Sequence, residues 1–131
     1  MTSEYSKEAE NLISRILIAS KMQISKMNEQ EKQILGTFCF GVLNGYAMQN
    51  QMSQVQVHGE MIAVLIKIFK YEPAAAAQFC DFLIKCTDKN IHPTMNAIIH
   101  RGIEGYYQLA DEEKLVENIS DIIQKVKKYN Q

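Results

Sequence analysis

The segment His92-Pro-Thr-Met-Asn-Ala-Ile-Ile-His-Arg-Gly-Ile-Glu-Gly-Tyr-Tyr-Gln108 holds the most chemically capable run of side chains in this sequence. Pro93 suits a first helical turn, where a missing N–H leaves no intrahelical bond unmade. On the helix that follows, Met95, Ile98, Ile99, Gly102 and Tyr106 share one side at helical spacing. Asn96, His100, Glu104 and Tyr107 form a second stripe beside it, flanked by Arg101. An amide, an imidazole, a carboxylate, a phenol and a guanidinium are more than packing requires. Such a set serves either a surface that recognises another macromolecule or a buried polar network.

Catalytic uses of these residues need partners from elsewhere. His100 and Glu104 stand four residues apart and could face one ion, with His58, Glu60 or His92 added from other helices. Helical-bundle metal sites use Glu-x-x-His pairs and zinc proteases use His-Glu-x-x-His; neither pattern occurs. Cys39, Cys80, Cys86 and Ser53 are candidate nucleophiles, but none sits in a glycine-rich elbow or beside a histidine in a recognisable signature. The phosphate-binding patterns GxxxxGK[ST] and GxGxxG are absent. Glu60 and Asp81 are the best-placed carboxylates for acid–base work, against the plainer reading of solvated helix flanks. No metal or cofactor is expected. Tyr106 should face inward and Tyr107 outward, and exposed Tyr and Arg are favoured anchors in protein interfaces. The expected partner-binding set is therefore His58, His92, Asn96, His100, Arg101, Glu104 and Tyr107.

Composition narrows the partners. The formal net charge of 131 residues is -1, which argues against a nucleic-acid binder that relies on phosphate contacts. Three cysteines without a CxxC pair, each within an apolar run, read as buried thiols of a reducing compartment. The N-terminal Met1-Thr-Ser-Glu-Tyr-Ser-Lys-Glu lacks a signal-peptide core. The longest apolar stretch, Met61 to Phe69, is interrupted by Lys67 and is far too short to span a bilayer. The expectation is a cytoplasmic protein with no membrane partner.

Six helical segments and no convincing strand emerge from the periodicity, giving an all-α, single-domain bundle over residues 1–131. The first helix is expected from about Glu4 to Lys26, with Leu12, Ile13, Ile16, Leu17 and Ile24 on its apolar side. The second starts at an Asn28 cap with Glu31 completing a capping box. It contains Gly36, Gly41 and Gly45, a spacing that predicts close approach of another helix or a bend. The third starts at Ser53 with Gln56 in the same role and, being apolar on nearly all sides from Met61, is expected at the centre. The fourth runs from Pro73 to about Cys86, and the fifth is the segment described first. The sixth runs from about Asp111 to Tyr129, with Asp111, Glu112 and Glu113 at its start and Lys125, Lys127 and Lys128 at its end, as the helix dipole favours. Short linkers predict antiparallel neighbours.

Four stretches carry a family likeness. Phe40-Gly-Val-Leu-Asn-Gly-Tyr-Ala-Met48, Gln54-Val-Gln-Val-His58, Ile68-Phe-Lys-Tyr71 and His92 through Tyr107 together resemble immunity-protein family forty-eight of the bacterial polymorphic toxin systems. The likeness spans roughly Phe38 to Gln108, and Asn96-Ala-Ile-Ile-His-Arg-Gly-Ile103 is its most specific part. The resemblance implies an all-helical cytosolic antitoxin that binds a cognate toxin protein and neutralises it by steric occlusion, without catalytic residues. At His58, His92, Asn96, His100, Arg101 and Glu104 it is compatible with toxin contacts and equally with helix packing. Inhibitors of nucleases are often strongly acidic. The near-neutral charge therefore implies a different kind of target or a local acidic patch. Two other classes stay open: a small metal-dependent or cysteine hydrolase using His100, Glu104 and His58, and a helical regulatory scaffold forming a homodimer through the first helix.

Overall fold

The computed structural model describes residues 4–129, and the side chains of residues 7–127. Met1–Ser3 and the Lys128 side chain, both named above, lie outside that description. The described residues form an all-α bundle: α1 Glu4–Ser20, a short 3-10 turn Ile24–Lys26, α2 Glu29–Asn50, α3 Gln54–Lys67, α4 Pro73–Lys85, α5 Pro93–Tyr107 and α6 Glu112–Tyr129.

Local chemistry sets most of these boundaries. Asn28 Oδ1 accepts from the Glu31 N–H at 2.8 Å while Glu31 Oε1 accepts from the Asn28 N–H at 3.2 Å, so α2 begins with the expected capping box. Ser53 and Gln56 make the same reciprocal pair at the start of α3. Pro73 and Pro93 occupy the first turns of α4 and α5. The first helix is shorter than expected. It stops at Ser20 because Lys21 turns left-handed, with φ 58°, and the Met22 N–H closes back on the Leu17 carbonyl at 3.2 Å. That is the six-to-one closure of a Schellman stop, made here without the usual glycine. Ile24 then sits in the 3-10 turn, half-buried against the core.

The centre of the bundle is α2, not α3. Every residue from Ile34 to Leu43 is buried, as are Gly45, Tyr46 and Ala47. α3 buries only the stripe Val57, Met61, Val64 and Leu65. The glycines of α2 let a neighbouring helix reach its backbone, whereas the one glycine of α3, Gly59, has nothing packed within 4 Å of where a Cβ would stand. A Cβ at Gly41 would stand 2.1 Å from the Ile99 carbonyl oxygen, and one at Gly102 would stand 2.1 Å from the Phe38 carbonyl oxygen. Each helix thus presses its backbone into the other, which only glycine permits.

Contacts along this seam rise together in both helices. Thr37 meets Met95, Gly41 meets Gly102 and Gly45 meets Tyr106. α2 and α5 are therefore parallel, and α3 with α4 forms the connection that returns the chain to the starting end. The expected antiparallel packing of neighbours does not extend to this closest pair. α6 runs back against both. Its Leu115 lies by Gly105, Ile119 and Ile122 lie by Ile34 and Leu35, and Lys127 Nζ reaches Glu31 Oε2 at 3.2 Å. α1 closes the remaining side through buried Ala9, Leu12, Ile13 and Ile16. Its Glu8 carboxylate accepts from the Tyr46 hydroxyl and its Glu10 pairs with Lys67 at 2.8 Å. None of the helices among the described residues is long and apolar enough to cross a membrane.

Candidate docking groove

α5 distributes its polar side chains to different neighbours. Asn96 is buried, and its amide donates to the carbonyls of Cys86 and Thr87 at 3.0 and 3.1 Å. It thereby caps the end of α4. His92 caps the start of its own helix: Nδ1 accepts from the Met95 N–H at 3.2 Å, and the ring stands edge-on to Phe82. Arg101 turns to α6. Its Nε donates to Asn118 Oδ1 at 2.6 Å, Nη1 pairs with Asp121 at 3.1 Å, and Glu104 lies 3.8 Å away. Buried Asn118 returns a bond to the Arg101 carbonyl at 3.0 Å and another to Gln108 Oε1 at 2.9 Å. Tyr107 is 56% exposed at the end of the helix, its hydroxyl accepting from Gln49 Nε2 at 3.1 Å. Tyr106 is half-buried and packs edge-on against Tyr46, so the two tyrosines divide as expected.

His58, Asn96 and His100 come together in a groove of about 550 Å³. Its long walls are Phe40 and Asn44 of α2 and Ile99, His100 and Ile103 of α5. Gln54, Val55 and His58 from the start of α3, with Ile84 and Thr87 from the end of α4, complete it. Val55 is 82% exposed and Ile84 38%, so the rim is apolar and open to solvent. His58 Nε2 lies 3.5 Å from Asp81 Oδ1, on the turn of α4 before Ile84. His100 is exposed. Met48 and Tyr107 are also exposed large side chains, each one helical turn beyond a groove residue, Asn44 and Ile103 respectively. They continue the strip toward the shared end of α2 and α5.

Arg101 and Glu104 line a separate cavity of about 570 Å³ with Gln108, Lys114, Glu117, Asn118 and Asp121. The expected single surface is thus divided: three of its residues face the groove, two face α6, and His92 and Tyr107 mark opposite ends of α5. Asp121, held between Lys125 and Arg101, has its carboxyl below the usual range. The α5–α6 network fastens the two helices together, which is the polar-network alternative that the sequence reading had set beside recognition. Asn118 was the available signal: it is an amide on the apolar stripe of Leu115, Ile119 and Ile122. Val55 and Ile84 were missed because a lone exposed apolar residue has no meaning until its neighbours are known.

The catalytic possibilities gain little geometry. Cys39, Cys80 and Cys86 are buried and unpaired with one another. Burial raises the Cys39 thiol well above its usual range, and pushes Cys80, beside Asp81, up to about 11. A nucleophile needs the opposite shift. Among the described residues no three His, Cys, Asp or Glu side chains gather as ligands of a metal would. His100 and Glu104 diverge into different cavities.

A family model described as immunity protein 48 matches residues 5–127, nearly the whole chain. No curated protein and no solved structure matches.

Proposed function

The chain belongs to the immunity protein 48 family, and from that membership we propose that it binds a toxin protein and neutralises it by covering a surface the toxin needs. The family match over residues 5–127 carries this reading. The groove between α2, α3, α4 and α5 is where the toxin docks. Val55, Ile84 and Ile103 supply apolar contact, His58 and His100 supply polar contact, and Tyr107 anchors the far end. Inhibition by occupancy asks no chemistry of this chain, and the encounter belongs to the cytoplasm of the producing cell.

Co-expression tests it. Cells making the toxin domain encoded beside this chain should grow when the chain is also made and stop growing when it is not. Tyr107→Ala should weaken the complex by about 2 kcal/mol, with folding unchanged because the ring is more exposed than buried. Growth arrest that persists despite abundant folded protein would refute the function.

A further inference from the structure

The parallel pair of α2 and α5 has two flanks, and the molecule fills one of them with a helix. On that flank α6 lies along the seam. Leu115 packs by Gly105, Ile119 and Ile122 share a pocket with Ile34, Leu35 and Phe38 of α2, and Val126 lies by Ile98 of α5. Leu115, Ile119, Ile122 and Val126 follow one another at steps of four, three and four residues, a single apolar helical stripe. The groove is the other flank of the same seam. On α5, the residues facing α6 are Ile98, Arg101 and Gly105; Asn96, His100 and Ile103, which line the groove, fall on the opposite side of the helix. The groove walls repeat at four-residue steps: Phe40, Asn44 and Met48 on α2, and Ile99, Ile103 and Tyr107 on α5. Such rows are the ridges between which another helix packs. They are buried at Phe40 and Ile99 and emerge into solvent at Met48 and Tyr107.

We infer that this groove receives a helix of the toxin, laid along the α2–α5 seam with an uncharged apolar stripe facing it, as the stripe of α6 faces the other flank. The inference rests on the toxin-binding reading above and names the kind of segment the toxin supplies. From Asn96 to Tyr107 the α5 wall rises about 17 Å at about 1.5 Å per residue. The docked helix is therefore about three turns long.

Backbone bonding selects a helix over an extended segment. An extended chain buried in the groove needs partners for its N–H and C=O groups. The described residues include no strand whose edge it could join. The groove's own donors are largely committed. The Asn44 amide donates to the Phe40 carbonyl at 2.7 Å, the Asn96 amide to the carbonyls of Cys86 and Thr87, and the Thr87 hydroxyl to the Ile84 carbonyl at 2.7 Å. A helix bonds its own backbone and asks the groove only for side-chain contact. Charge then selects the face it presents. No Lys, Arg, Asp or Glu lines the groove, so a charge of either sign buried there finds no fixed counter-charge. An apolar stripe instead covers Val55, Ile84 and Ile103, surface that is otherwise left partly in water.

Cross-linking followed by alanine scanning tests this. The full chain, with a photo-activated cross-linker in place of Gln54, an exposed residue of the groove, is mixed with the toxin partner proposed above. The cross-link identifies the toxin segment that lies in the groove. Single alanine substitutions along that segment, each verified as folded by thermal melting, then report its geometry through the Kd. The expected result is capture of one toxin segment, with losses of about tenfold or more at positions three and four residues apart and values near wild type between them. Losses at every second position mark an extended segment and overturn the inference, as do losses without any period. A complex whose cross-link reaches a second copy of this chain, or no toxin at all, also overturns it and leaves the function standing. Absence of any complex would overturn both the inference and the function.

Discussion

Gly41 and Gly102 hold the positions where two backbones meet, and nothing larger fits. A methyl at either would stand 2.1 Å from a carbonyl oxygen of the facing helix, an atom that cannot move without moving the helix. Gly41→Ala should therefore cost about 3 kcal/mol of stability in urea unfolding, at the upper end for overpacking. Gly59 is the internal control. It also lies within a helix, but a Cβ there meets nothing within 4 Å. Gly59→Ala should gain up to about 1 kcal/mol from helix propensity alone. Equal effects at the two sites would contradict the close crossing. The sequence reading anticipated a close approach from the spacing of Gly36, Gly41 and Gly45, without identifying the partner helix. It was less successful with polar residues. Asn96 and His92 have the side chains of a recognition surface, yet one caps α4 and the other caps α5. Residue type shows which bonds a side chain is able to make; only the neighbouring helix decides which are made.

At the scale of elements, the starts of helices were legible and one end was not. Starts are fixed by side chains within one turn, so Asn28–Glu31, Ser53–Gln56 and Pro93 could be read directly. The end of α1 is set by the left-handed Lys21, a conformation without a characteristic residue at that position. The α2 cap also carries a tertiary contact. The Glu31 carboxyl is held below the usual range by the Asn28 N–H and by the Lys127 ammonium at the far end of α6. A carboxyl lowered by folding contributes stability that is complete above its unfolded pKa and is lost as pH falls through the folded one. Acidification from neutral pH through the carboxylate range should thus lower the melting temperature of the wild type. Glu31→Gln should be less stable at neutral pH and show a shallower decline. A decline as steep as the wild type's would mean that the fastening of α2 to α6 contributes nothing measurable.

For the whole molecule, the helical class followed from periodicity, and the arrangement did not. The pairs that define the core, Thr37 with Met95 and Gly45 with Tyr106, are about sixty residues apart, beyond any local signal. Short linkers suggested antiparallel neighbours, but the chain spends α3 and α4 returning to the same end, so that α5 lies parallel to α2. That parallel seam makes the groove. Its walls are the sides of α2 and α5 that no third helix covers, and its rim is the start of α3 with the end of α4. His58 and His100 share a groove only in this packing, which is why the sequence could nominate both and relate neither. The central claim is that this groove is the toxin-docking surface, and Val55 tests it most directly. The side chain is 82% exposed and lines the groove without supporting the fold. The decisive measurement is the Kd of Val55→Arg for the toxin partner proposed above. The account predicts a loss of at least about tenfold at an unchanged melting temperature; a Kd equal to that of the wild type would contradict it.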